Sequence, residues 1–408
     1  MKDEKRALVP RLRFPEFSGE WKYKELSSFL ESFSERVDAA ENEFPVYSST
    51  RDGLRFQRDY YDGRELVNEG AYGIVPQGYF VYRHMSDDTI FVFNLNDTGG
   101  KVAVSKEYPV FKAVGINPHF LLHKLNGSLE FKKFAESQRK GGTRTRLYFK
   151  TLCSWRNSLP GLQEQQKIAD CLSSLDALIA AQADKIDALK THKKGLMQQL
   201  FPREGETVPR LRFPEFRDAG EWGETTLGKV VDIRSGYSPS RYNLSGEARY
   251  PFLKVEDLNN CEKYQASSRV YSNDSLGVVP PGSIIFPKRG AAILNNKVRL
   301  NTVEVLMDTN LMAITSRKDV LAEFLYCIVV TEGLSKIADT STIPQINNKH
   351  IIPYVVRIPG KAEQQEIADC LSSIDELIAA HTEKFEALKV HKKGLMQQLF
   401  PSPEAVSA

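Results

Sequence analysis

The sequence predicts an α/β (α+β) chain: two mixed α/β domains separated by two long antiparallel coiled-coil helices, with an internal pseudo-two-fold repeat. Three observations predict it. Val9–Phe17, reading Val-Pro-Arg-Leu-Arg-Phe-Pro-Glu-Phe, returns residue for residue as Val208–Phe216. Glu164–Pro202 returns as Glu363–Pro401 with 30 of 39 positions identical. Both repeats are displaced by 199 residues, and the long stretches between them hardly match. A duplicated frame around two different inserts suits a molecule that presents two different surfaces in equivalent positions.

The helices come from the second repeat. Ile168, Leu172, Leu175, Ile179, Ile186, Leu189, Leu196 and Leu200 form one narrow apolar stripe, interrupted at Gln182 and Lys193. In the second copy the stripe is Ile367, Leu371, Ile374, Ile378, Phe385, Leu388, Leu395 and Leu399, interrupted at His381 and Lys392. Such spacing is that of a coiled-coil seam. Each helix is expected to start just after Pro160 or Pro359 and to stop at Phe201-Pro202 or Phe400-Pro401. A helix of that extent is roughly 55 Å long, and so narrow a stripe needs a partner helix. The stripe alone leaves parallel and antiparallel pairing open. Two equivalent units related by an approximate two-fold favour the antiparallel one, a dumbbell with an insert at each end.

The inserts carry matching signals. Tyr72–Val81 lines up with Leu276–Ile285, each with a Pro-x-Gly turn entering an apolar, β-rich run. Phe44-Pro45-Val46-Tyr47 and Tyr250-Pro251-Phe252-Leu253 read as a second equivalent strand start. Helical stretches follow around Phe120–Phe134 and Ala322–Ile337. Each insert therefore reads as the same domain with a diverged surface.

Composition narrows the class. With 41% hydrophobic and 26% charged residues in 408, the chain reads as a soluble globular protein of two or three domains. Its net charge of +3 is a weak hint of an anionic partner. The second repeated helix sums to −3, from four Lys against seven Asp and Glu, and the first to zero, so the remainder of the chain carries +6. The start, Met1–Arg6, lacks a signal-peptide core, and no apolar run reaches membrane-spanning length. Five cysteines without a CxxC pair form no disulfide or zinc framework, which places the chain in a reducing cytoplasm. The repeat equivalents Cys171 and Cys370 read as small buried helix residues.

Catalytic chemistry is hard to find. Asn117-Pro118-His119-Phe120 resembles the motif with which adenine methyltransferases grip an amino group. The matching place in the second insert, Leu321-Ala322-Glu323-Phe324, lacks it, and no Gly-rich loop stands ready for S-adenosylmethionine. The run is read as a helix start, with Asn as N-cap and Pro in the first turn. No Walker loop exists, Gly99-Gly100-Lys101 and Gly141-Gly142-Thr143 read as turns, and the histidines lack metal spacing. His192 and His391 read as solvated or interfacial.

What stands out is polar and basic residues in loops. The first insert offers Arg51, Arg55, Arg58, Arg83, His84, Lys101, Arg139, Lys140, Arg144 and Arg146. The second offers Ser238, Ser240, Arg241, Tyr242, Lys254, Lys288, Arg289, Asn295, Asn296, Lys297, Gln345, Asn347, Asn348 and Lys349. Lys and Arg neutralise phosphates, Arg matches guanine, and Asn or Gln matches adenine. The runs Gly141–Arg146 and Thr342–Lys349 occupy the same place in both copies, after the helical stretch. There the chemistry differs while the frame does not, as expected of recognition loops.

At this point the chain resembles a type I restriction–modification specificity subunit. The twin Glu-Gln-Gln-x-Ile-Ala-Asp-Cys-Leu helices at Glu164 and Glu363 carry the resemblance, with their Lys-Lys-Gly-Leu-Met-Gln-Gln-Leu-Phe-Pro endings. The Pro-Arg-Leu-Arg-Phe-Pro-Glu-Phe openings and the Thr-Ile-Pro-Gln-Ile-Asn run at Thr342 add to it. The first insert departs from the family at that last run, with Thr143–Arg146 in its place.

The resemblance implies a non-catalytic DNA-recognition subunit. Residues 1–21 would be the N-terminal repeat segment, 22–160 the first target-recognition domain, and 161–202 the first helix. Residues 203–222 would be the connector and second repeat segment, 223–358 the second target-recognition domain, 359–401 the second helix, and 402–408 a tail. Each domain would read half of a split site in double-stranded DNA, and the helices would set the spacer. Two methyltransferase subunits would dock on the helices and methylate adenine at N6. S-adenosylmethionine, ATP and Mg would belong to the methyltransferase and to restriction/translocase subunits, with none on this chain and no membrane involved. The alternatives are a coiled-coil adaptor joining two protein ligands, which leaves the divergent Arg/Asn/Gln loops unexplained, and an enzyme acting alone, which lacks cofactor motifs.

Overall fold

The computed structural model describes residues 9–38, 44–61, 70–139, 143–341 and 343–401. The candidate Lys140 and the tail fall outside them. The chain forms two compact units. One takes residues up to Asp184 together with those from Thr382 onward; the other takes Lys185–His381. Each unit contains one insert.

The long helices span Leu162–Leu200 and Lys361–Leu399, 39 residues each. They begin within two residues of Pro160 and Pro359 and end just before Phe201 and Phe400, as the stripe and prolines indicate. In the first unit Leu399 and Phe400 pack with Ile168 and Leu172, and Lys392 pairs with Asp176. One index rises as the other falls, so the helices run antiparallel there. In the second unit Leu200 and Phe201 share a core with Ile367 and Leu371, and Lys193 pairs with Asp375. The lysines that break the stripe are thus each neutralised by an aspartate of the opposite helix, which lets a cation sit in a half-buried seam. Cys171 and Cys370 are half-buried rather than buried.

Each insert builds the same antiparallel ladder. In the first, Leu30–Phe33, Val110–Ala113, Phe80–Tyr82 and Phe93–Leu95 lie in that spatial order. In the second the order is Val231–Ser235, Leu311–Ser316, Ser283–Pro287 and Arg299–Asn301, with Tyr264–Gln265 added at the edge. The Pro-x-Gly turns entering the third strand match in detail: Gly78 and Gly282 both have φ +77°, a left-handed conformation open to glycine at no steric cost. The paired strand starts also match, since Val46 bridges Ala103 and Phe252 pairs Leu306, both in parallel. The helical stretches appear as Pro118–Gly127 with Leu129–Ser137, and as Ala322–Glu332 with Leu334–Ile337. Asn117 caps its helix as expected, its Oδ1 accepting from the Phe120 amide at 2.9 Å.

Candidate nucleic-acid interface

The candidate interface is carried on a root that fixes each head to the helices. Lys22–Glu25 pairs with Arg156–Leu159, and Gly223–Thr226 with Val355–Ile358, so the chain enters and leaves each insert side by side. In the first unit Arg13 donates to both oxygens of Glu164 at 2.8 and 2.7 Å, and the Trp21 indole donates to the same carboxylate at 3.2 Å. In the second unit Arg212 and Trp222 hold Glu363 at 2.7, 2.7 and 3.2 Å. The opening segment also reaches the other helix: the Leu12 amide donates to the Gln398 carbonyl, and the Leu211 amide to that of Gln199. Aromatic rings complete the knot, edge-on in every pair but Phe324 with Phe201, which stack. Phe120 meets Trp21 and Phe400; Phe324 meets Trp222 and Phe201. The next glutamine locks the head helix. Gln165 accepts from the Asn117 amide at 2.9 Å, and Gln364 from that of Leu321 at 2.9 Å.

A second link differs between units. Asp176 lies 3.8 Å from His123, whereas Asp375 accepts from Lys263 at 3.2 Å. Burial pushes His123 down to about 4, aided by Lys392 and opposed by Asp176. For Lys263, burial opposes the charged form, but the Glu323 and Asp375 carboxylates, with Tyr264, together outweigh it and raise the ammonium above its usual range.

On this root sit the diverged loops, and their equivalence is structural. The Leu147 amide donates to the His84 carbonyl at 2.8 Å, and the Ile346 amide to the Lys288 carbonyl at 2.9 Å. The last loop therefore lies along the same strand end in both heads.

In the first head, Arg51, Arg83 and Arg144 converge on one groove of about 360 Å³, lined also by Tyr60, Tyr61, Tyr108 and Asp87. They arrive from three places: the turn of the hairpin Tyr47–Phe56, the end of the strand Phe80–Tyr82, and the last loop. Arg51 donates to Asp88 at 2.6 Å and Arg144 to Asp87 at 2.9 Å. Arg55 and Arg58 are exposed farther along the hairpin and the turn of helix after it; Arg139 and Arg146 are exposed near the last loop. Lys101 pairs with Glu35 at 3.3 Å. The His84 ring stacks on Tyr148, and its buried Nδ1 has no hydrogen-bond partner among the described residues.

In the second head, adjacent backbone gathers several candidates around the turn Asp308–Asn310. Tyr237 bridges Asp308, the Asp308 amide donates to Leu253 beside Lys254, and the Lys288 amide donates to Asn310. Arg289 bridges Gln345. Ser238, Ser240 and Arg241 follow from Tyr237, with the Arg241 guanidinium 5.6 Å from the Tyr237 ring. Asn295, Asn348 and Lys349 are exposed, and Asn347 caps the turn of helix Asn348–Ile351.

Three candidates are instead occupied by the framework. Tyr242 is buried, and its hydroxyl donates to the Leu276 carbonyl at 3.0 Å. Asn296, at φ +47°, donates to the Val330 carbonyl and accepts from the Leu334 amide, both at 3.0 Å. Lys297 donates to Asn259. A sequence scan for polar loop residues cannot separate amides that staple a turn from amides left to read a base. The same scan passed over Asp87, Asp88 and the three groove tyrosines. The Ser86-Asp87-Asp88 run was the available signal, hidden because the loop candidates were basic, amide, hydroxyl and imidazole side chains with no carboxylate among them.

Residues 19–191 and 219–390 match the model of the type I restriction modification DNA specificity domain. The chain belongs to this family of DNA-specificity subunits. A Methanocaldococcus jannaschii relative assigned as the type I restriction enzyme MjaX specificity subunit is 25% identical, covering 94% of this chain and 93% of its own. The crystal structure of the S subunit of a type I restriction–modification system from M. genitalium shares the fold with a TM-score of 0.59 at 13% identity, covering 97% of this chain and 100% of that one. A chain from a structure of type I system assembly gives 0.57 at 17% identity, covering 94% and 98%.

Proposed function

We propose that this chain reads a split site in double-stranded DNA, one half through each head, and aims chemistry carried out by other subunits. The observation that carries the reading is the last loop. It is pinned to the same strand end in both heads, yet presents Thr143–Arg146 in one and Ile343–Lys349 in the other. One frame holding two chemistries suits two different half-sites. A half-site of a few base pairs discriminates modestly, at roughly 1–3 kcal/mol per mismatch, and two linked readers add their energies.

The long helices set the spacer and dock two methyltransferase subunits, which bring S-adenosylmethionine and methylate adenine at N6. Restriction/translocase subunits supply ATP- and Mg-dependent cleavage, and the assembly works in the cytoplasm. The domain boundaries 22–160 and 223–358 mark the two readers, and the exposed residues among those named above are their DNA contacts. Base-resolution mapping of N6-methyladenine tests the reading, in cells expressing this chain with its cognate methyltransferase subunit. A split motif of fixed spacing, lost without this chain, is expected. Its absence, with both subunits soluble and associated, overturns the reading in favour of a protein-binding adaptor.

A further inference from the structure

The first head carries an element that the second lacks among its described residues. Tyr47–Thr50 pairs with Gly53–Phe56 in a two-stranded ribbon whose turn is Arg51-Asp52. At the matching place in the second head, the strand Tyr250–Leu253 runs straight into the short helix Val255–Asn259. A two-stranded β-ribbon is one of the two elements that the DNA major groove admits.

The residue at the ribbon's turn is held from below. One oxygen of Asp88 accepts from the Ser86 hydroxyl at 2.7 Å and the Ile90 amide at 3.2 Å; the other accepts from Arg51 at 2.6 Å. One oxygen is thus fixed by its own loop, through the Ser86 hydroxyl and the Ile90 amide, and the other faces the guanidinium. The Ser86 hydroxyl, and then Arg51, hold it at about 2, so it is charged throughout the neutral range. Both partners are exposed, at 63% for Arg51 and 43% for Asp88, and an exposed ion pair adds little stability. A carboxylate beside a surface that meets DNA also repels phosphates. Orientation is what the pair accomplishes: it engages one terminal nitrogen of Arg51 and restrains the rest of a planar donor fork. Guanine offers the matching pair of acceptors, O6 and N7, in the major groove.

We propose that Arg51, positioned by Asp88, reads a guanine in the major groove of the half-site bound by the first head. This rests on the DNA-specificity reading above. Asp88 is a positioning residue, and Arg51 makes the base contact.

The test uses the complex of the full chain with its cognate methyltransferase subunit. The methylated motif is mapped first, and binding is then measured on duplexes carrying each of the four bases at each half-site position. Arg51→Ala and Arg51→Lys should both lower the preference for guanine at one position of one half-site, by about 5- to 150-fold. Asp88→Asn should lower it less, at the same position. The other half-site and the spacer should not change. Lysine keeps the charge but not the fork, so an Arg51→Lys complex with intact discrimination marks a phosphate contact and overturns the proposal. So does an even loss over all sequences, or an affected half-site without guanine. Failure of the wild-type complex to show any split motif is a different result, which overturns the specificity reading and the proposal with it.

Discussion

Arg13 grips both oxygens of Glu164 across 151 residues of sequence. The contact joins the two duplicated segments to each other, and Arg212 with Glu363 repeats it at the same separation. Glu164 is only 4% exposed. Removing one partner of such a pair leaves an uncompensated buried charge. Arg13→Ala is therefore expected to destabilise the chain by about 3–5 kcal/mol, read as a fall in the urea midpoint. A loss below about 1 kcal/mol would show that water reaches Glu164 and that the clamp is ornamental.

Lys124 is fully buried, donating to Glu130 at 2.9 Å and to the Ser158 carbonyl at 2.8 Å, with the rings of Trp21, Trp155 and Phe400 around it. Burial lowers its pKa. By the Phe120–Phe324 register the second unit places Ile328 there. Lys124→Ile alone should cost about 3 kcal/mol or more, because Glu130 is left charged and buried. Lys124→Ile combined with Glu130→Leu should recover most of that loss. Urea unfolding of the two variants decides it. Equal stability of the single and double variants would mean that Glu130 is satisfied without the lysine.

The His123 link predicts a pH dependence. Its folded value, about 4, lies below its ordinary 6.5. The unfolded chain therefore takes up the proton first as pH falls, and stability drops between about pH 6.5 and 4. Above that window this histidine contributes no slope. The groups facing it are Asp176 and Lys392, with His119 nearby. The drop amounts to roughly 2–3 kcal/mol. Unfolding at pH 7.5 and 4.5 should show a smaller acid loss in His123→Asn than in wild type; equal losses would assign the slope to carboxylates elsewhere.

The loop residues should separate into two groups. Asn296 holds a left-handed turn with both ends of its amide, so Asn296→Ala should cost about 1–3 kcal/mol of stability and leave base preference unchanged. Arg144, on the groove of the first head, should do the reverse: Arg144→Ala should relax one half-site while stability changes by less than about 0.5 kcal/mol. Methylation-site mapping beside thermal melts checks both. An even loss of affinity over every sequence would make Arg144 a phosphate contact.

The frame was legible because its signals are local or periodic. The heptad stripe and flanking prolines placed both long helices to within two residues. The Pro-x-Gly turns announced strands, and the register of Phe120 with Phe324 carried the equivalence of the heads. The duplication even indicated antiparallel pairing, which follows from symmetry rather than from any single residue. The candidate site was legible only as a neighbourhood. Arg51, Arg83 and Arg144 were singled out separately, but nothing in the chain said that a hairpin turn, a strand end and a distant loop share one groove.

What the sequence determined by itself is the repeat, the two helices, the two diverged inserts and the family to which they belong. These rest on spacing and composition, which every window of the chain displays. Tertiary structure alone decided which side chains serve the frame and which are left to a partner. Tyr242 and Asn296 went to the frame because neighbouring backbone carbonyls and amides met their hydrogen-bonding groups. Arg51 stayed at the surface with Asp88 fixed beneath it. The same residue types lie on both sides of that division, because a buried polar group must find a partner in the fold, and only the fold says where the partners are.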